Sequence, residues 1–216
     1  MTCSSLRFLV LAWVISGCGE GHAAAADSTQ ADSAARVRQD SVNRAQPGYI
    51  VDSILPIEEQ LRRFRAGVPD TVRELAGGAS SQDALVRTFL RGLSASDTAA
   101  LVRLTISRAE FGWLIYPNSP LSAPPYRLAP DLAWMQHAAA SGTGLTRLLE
   151  RLGGSGVQLL SWECEEGPLM EGANRVWRGC AVRFERPGAE QQTLRLFSSI
   201  IERQGRFKIL SYANGF

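Results

Sequence analysis

The 216-residue chain is short of most features from which a chemistry is usually read. Its charge is nearly balanced, 23 basic against 21 acidic side chains for a formal net of +2, so it lacks the clustered positive excess that neutralises phosphates; nucleic acid is not an expected partner. Of two histidines only His137 lies outside the polar N-terminal stretch. A Ser-His-Asp centre would rest on that one imidazole, for which a surface or capping role is the expectation. Four cysteines are too few for a disulfide scaffold, and no C-x-x-C spacing offers thiol redox chemistry. No metal or cofactor is expected. Glu163, Glu165 and Glu166 surround Cys164 as solvated strand charges rather than ligands, and Gly153-Gly154-Ser155-Gly156 lacks the lysine and following helix of a phosphate-binding loop. Long apolar runs are missing too: residues 8–15 fall short of the about 20 that cross a bilayer core. What is left, 45% apolar, suits one globular domain of roughly 100 to 200 residues with something attached.

The attachment is N-terminal. Arg7 precedes the run 8–15, which ends in the small residues Ser16 and Gly17, the layout of a secretory signal. The ending Ile15-Ser16-Gly17-Cys18 resembles the lipobox of bacterial lipoproteins. That resemblance implies that residues 1–17 are removed and that Cys18 carries a diacylglycerol thioether and an N-acyl chain, which anchor the protein to the membrane. It implies a cell-envelope lipoprotein facing the periplasm, and Gly19 in place of Asp points to the outer membrane. Residues 18–47 are rich in Ala, Ser, Asp, Gln and Arg, with Val37 and Val42 as the branched apolar residues, and read as a disordered tether reaching roughly 30 Å. A helix over 34–44 would have too few apolar positions to fix a face.

Residues 48–78 form an N-terminal extension. Ile57, Leu61, Phe64 and Val68 share one helical face, with Pro56 at the start and Gly67 at the stop, and the helix either docks on the main domain or binds a partner. The domain proper spans 79–216. Ser80 and Ser81 open a helix carrying Leu85, Val86, Phe89, Leu90 and Leu93, and Ser96-Asp97 open another through Leu101 and Leu104 to Leu114. Prolines crowd 117–130 into a loop. Helices follow over 131–140 and 143–152, the second stopped by Gly153-Gly154. Beyond Gly156 the period becomes alternating, with strands over 157–165, 176–185, 192–203 and 206–213 joined by Gly167-Pro168 and Gly172, Pro187-Gly188, and Gln204-Gly205. The expectation is α+β, with helices on one side of a curved, antiparallel four-stranded meander.

This order, together with the ending Gly205-Arg206-Phe207-Lys208-Ile209-Leu210-Ser211-Tyr212, resembles the NTF2-like (SnoaL-like) superfamily over residues 80–216. The resemblance implies a cone-shaped cavity that binds small molecules; some members pair an Asp or His with a Tyr for proton abstraction. The Pro-rich insert and the missing strand between the second and third helices depart from that pattern, and a cystatin-like fold or a bundle beside a small sheet are the alternatives.

Strand registers nominate sites. In the first hairpin one register sets Cys164 opposite Cys180, Trp162 opposite Val182 and Leu160 opposite Phe184, and in an oxidising compartment the thiols form a disulfide. In the last hairpin Ile200 faces Ile209, Ser198 faces Ser211 and Leu196 faces Ala213. Ser198 and Ser211, with Arg178 joining them, are either ligand-binding groups in an apolar cavity or a mutually bonded pair. Tyr116, Tyr126 and Asp131 flank the proline loop, a candidate lid, and an acid/base pair among them is an assumption. Trp177, Phe197, Ile201 and Tyr212 are an outer apolar surface for a homodimer or another partner, unless the N-terminal helix covers them. The expected function is a noncatalytic, lipid-anchored module that binds a small apolar ligand or a protein. The alternatives are an isomerase or dehydratase using Asp131 with a tyrosine, and a purely structural partner domain.

Overall fold

A computed structural model describes residues 21–46, 55–68 and 71–214. The signal segment and Cys18 lie outside the described residues. The chain divides into two compact units, Met1–Ile54 and Leu55–Phe216. In the first, α1 (Gly21–Arg44) is one helix where composition suggested a disordered tether. Alanine is the best helix former, and its local propensity favours this conformation. Val37 and Val42 stand exposed on it. Among the described residues no helix is long and apolar enough to cross a membrane.

The second unit is α+β, helices first and an antiparallel sheet last. Its helices are α2 (Ile57–Ala66), α3 (Gln82–Ser94), α4 (Thr98–Leu104), the short α5 (Arg108–Glu110) and α6 (Pro130–Leu152). Ser81 caps α3 by accepting from the Ala84 N–H, and Asp97 caps α4 through the Ala100 N–H. The helix expected to continue to Leu114 stops at Leu104 and restarts at α5, followed by a π turn (Phe111–Ile115) and two 3-10 turns that open the proline loop. The two helices expected over 131–140 and 143–152 are one. Gly142 and Gly144 are both helical, and Gly144 is required there because a Cβ would stand 1.7 Å from the Tyr212 carbonyl oxygen.

The sheet consists of β1 (Gln158–Glu171), β2 (Asn174–Glu185), β3 (Gln192–Leu194), β4 (Ser199–Arg203) and β5 (Arg206–Ile209), ordered β1-β2-β4-β5 with β3 beside β2. The meander is as expected, with three departures. β1 runs on through Gly167-Pro168 and turns only at Gly172-Ala173; it is an edge strand, where a proline costs no ladder bond. A bulge between Leu159 and Ser161 brings Leu159, not Leu160, opposite Phe184, while Trp162–Val182 and Cys164–Cys180 pair as read, and the two cysteines form a disulfide. The expected third strand divides into β3 and β4, because Leu196 and Phe197, adjacent in sequence, both turn into the same apolar cluster and so break the alternation.

Two apolar clusters fill the unit. The larger joins α3, the second half of α6 and the sheet through Phe89, Leu148, Val182, Leu196 and Ile209. The smaller gathers Phe64, Leu75, Phe111, Tyr116, Val176 and Ile201. Ile200 belongs to the first and Ile201 to the second, so β4 is buried on both faces rather than on the single face expected. Helix α2 covers the second side: Phe64 lies 5.9 Å from Phe111, and Arg65 lies over Trp113 while donating to the Gly112 carbonyl at 3.0 Å.

Candidate functional site

A cavity of about 880 Å³ opens between α4, the turn 105–110, α6 and the end of β5. Its polar floor is built by a local capping motif. Ser107 is the N-cap of α5 and Glu110 its third residue: the Ser107 hydroxyl accepts from the Glu110 N–H at 3.2 Å, and Glu110 Oε2 accepts from the Ser107 N–H at 2.6 Å. Glu110 Oε1 also accepts from the Ala76 N–H at 2.7 Å. From β5, on the face shared with Leu210, Lys208 brings its ammonium 2.9 Å from Oε1 and 3.0 Å from Oε2. The side chains are 1% and 5% exposed. Burying two ions costs several kcal/mol each unless their remaining valences are met, and here two backbone amides assist the lysine. The two backbone amides and the ammonium together engage both oxygens of the Glu110 carboxylate within the protein.

Above this floor α6 supplies one wall. His137 stacks on Trp134, ring centres 5.5 Å apart, and lies 5.8 Å from Phe111. Burial pulls its imidazole below the ordinary histidine range, outweighing a hydrogen bond to the Leu210 backbone, so the ring stands neutral. Tyr212 donates to the Leu101 carbonyl at 2.8 Å, and burial raises its phenol well above the usual tyrosine value. Ser141 accepts from the Tyr212 N–H at 3.1 Å. Ala100, Leu104, Ile106 and Leu145 make the rest of the lining largely apolar, and Arg103 and Arg108 stand exposed at the rim.

The residues nominated from the sequence fall elsewhere. Tyr116 is buried, its hydroxyl donating to the Leu128 carbonyl at 2.5 Å; Tyr126 is exposed; Asp131 pairs with Arg108 at 2.9 Å near the surface. No acid/base pair forms among them. Ser198 does face Ser211, through a backbone bond of 2.9 Å, yet the two hydroxyls do not bond each other: Ser211 accepts from the Ala213 N–H, and the buried Ser198 hydroxyl has no partner among the described residues. Arg178 is drawn away to Glu171 at 2.7 Å. The supposed outer surface is interior. Phe197, Ile201 and Tyr212 are about 1% exposed, and Trp177 packs on the larger cluster beside Phe207 at 6.0 Å, where Gly179 at φ +63° interrupts the alternation used to place it outward. Of the nominated set only Tyr212 lines the cavity.

Glu110, Lys208 and the cavity-facing place of His137 were missed. Two signals were present: the Ser107-x-x-Glu110 spacing of a capping box, and the fact that Lys208 is the one lysine in a chain whose other 22 basic residues are all arginine. No protein-family model, curated protein or solved structure matches the chain.

Proposed function

We propose that this protein is a noncatalytic module of the cell envelope, anchored through a lipidated Cys18, that takes a small, largely apolar ligand into the cavity between α4, α6 and β5. The cavity itself carries the reading. Its volume is within the range of small-molecule sites, and apolar walls with a few fixed polar groups are the usual composition of such sites. Catalysis is disfavoured because Glu110 is engaged within the protein on both oxygens and Asp131 faces an arginine at the surface. The helix-then-meander order and the Gly205–Tyr212 ending support an NTF2-like reading of the domain, with the binding site on the α4/α6 side.

Gly142 provides the test. It lines the cavity on α6, and a Cβ built there meets nothing within 4 Å, so the leucine side chain of Gly142→Leu starts from open space and extends into the cavity. The uncharged fluorophore N-phenyl-1-naphthylamine is expected to bind wild type at one equivalent and the variant about tenfold more weakly or worse, at a thermal stability equal to or above that of wild type because an interior helical glycine is replaced by a better helix former. Equal binding by both would remove the cavity as the site. For the anchor, incorporation of a fatty-acid probe is expected in wild type and not in Cys18→Ala; unchanged labelling overturns that part.

A further inference from the structure

The polar valences left unspent on the cavity wall define the head of the ligand. Thr88 donates to the Ala84 carbonyl at 2.7 Å, Thr105 to the Val102 carbonyl at 2.9 Å and Tyr212 to the Leu101 carbonyl at 2.8 Å, so these hydroxyl protons are used within the protein. An ammonium has three N–H donors. Both recorded contacts of Lys208 go to the one Glu110 carboxylate, with the hydrogen bond to Oε2, which leaves at least one N–H donor without a protein partner among the described residues. Ser141 accepts from the Tyr212 N–H, and its own proton has no acceptor among them either. Lys208 and the Ser107 and Ser141 hydroxyls therefore bring unspent donors to the inner wall, the Arg103 guanidinium stands at the exposed rim, and the Glu110 carboxylate is engaged within the protein on both oxygens.

Charge decides the rest. The Lys208 cation is balanced in contact by Glu110, so the floor is neutral overall. A ligand carboxylate there would be desolvated next to the Glu110 carboxylate, and an ammonium next to Lys208; each loses by like-charge repulsion as well as by burial. An uncharged oxygen acceptor pays neither cost and gains a charge-assisted hydrogen bond. The neutral state of His137 adds no countercharge. Resting on the ligand-binding reading above, we infer that the cavity selects uncharged apolar molecules that carry a carbonyl oxygen at their inner end, received by the third N–H of Lys208.

The experiment displaces N-phenyl-1-naphthylamine from the mature, full-length domain at pH 8 with 2-decanone, decanoate, decylammonium and decane. A hydrogen bond to a charged donor is worth roughly tenfold or more in affinity, so 2-decanone is expected to displace at concentrations about tenfold below each of the others. Decanoate or decylammonium matching the ketone would overturn the inference while leaving the cavity as a binding site. Failure of the fluorophore and of every chain to bind would remove both. Replacing the pair together, Glu110→Gln with Lys208→Met, is expected to bring 2-decanone down to decane; a retained advantage overturns the assignment to Lys208. Should the double variant not fold, carbonyl-labelled 2-decanone bound to wild type provides the readout: its ¹³C resonance is expected downfield of its position in hydrocarbon, and an unshifted resonance counts against the inference.

Discussion

The two apolar clusters of the second unit are closed by different means. The larger one is shut by side-chain packing: Phe89 meets Phe197 edge-on at 5.5 Å and stacks on Tyr212 at 5.7 Å, and a disulfide lies along its sheet face. The smaller one adjoins irregular backbone, the π turn and the 3-10 turns, and is shut by side chains that satisfy that backbone. Tyr116 serves the Leu128 carbonyl, Asn174 serves the Leu114 carbonyl at 2.8 Å, and Glu110 serves two N–H groups while holding Lys208. Regular elements meet their own hydrogen bonds and can leave a core to hydrocarbon; irregular ones need polar side chains in the interior. The cavity lies between the two, with Leu104, Leu145 and Tyr212 of the larger cluster on its wall and the Glu110–Lys208 pair supplying its polar floor.

Four mutational experiments bear on that contrast. Phe89→Ala should have the largest effect, about 4 to 5 kcal/mol in urea unfolding, because the ring is fully buried between two aromatic neighbours. A loss near 1 kcal/mol would mean that the larger cluster does not depend on close packing. Lys208→Met should follow at about 3 to 4 kcal/mol, since it abandons a buried carboxylate that the adjacent cavity only partly rehydrates, and adding Glu110→Gln should restore more than half. If Lys208→Met were neutral, the smaller cluster would be held as the larger one is. Removing the disulfide with Cys164→Ala and Cys180→Ala should cost about 3 kcal/mol, the entropy of a loop of this length, and thiol titration of the unfolded, unreduced protein should find neither cysteine free. Ser107→Ala should be the mildest, about 1 kcal/mol for a lost N-cap, with a measurable fall in fluorophore affinity because the cap positions Glu110. Unchanged affinity would separate the cap from the cavity.

Much of the fold was legible because periodicity is local. The faces carrying Leu85, Phe89 and Leu93, the meander, the Cys164–Cys180 pairing and the Gln204-Gly205 hairpin with Ile200 opposite Ile209 all follow from spacing and turn chemistry. The site was not legible in the same way. Alternation was extended through places where it fails, at Gly179 and across 195–198, and so buried residues were sent to the surface. The Glu110–Lys208 pair spans 98 residues of sequence, and no local pattern encodes such a contact. His137 was read from helix position alone, whereas its burial comes from Trp134, Phe111 and the backbone of Leu210. The continuous α6 was divided at its glycines because the reason for Gly144, the carbonyl of Tyr212, lies in the chain end packed against it.

The solitary lysine has a practical consequence. No side chain on the surface of this domain carries a primary amine, so amine-directed cross-linkers and labels have one side-chain target, and it is 4% exposed inside the last strand. A lysine-specific endoprotease likewise has a single cleavable bond, after Lys208, and an intact strand cannot enter its active site. Cleavage therefore occurs only in molecules whose β5 has left the sheet, and its rate meters that opening in the unmodified protein, without a dye, a tag or a mutation.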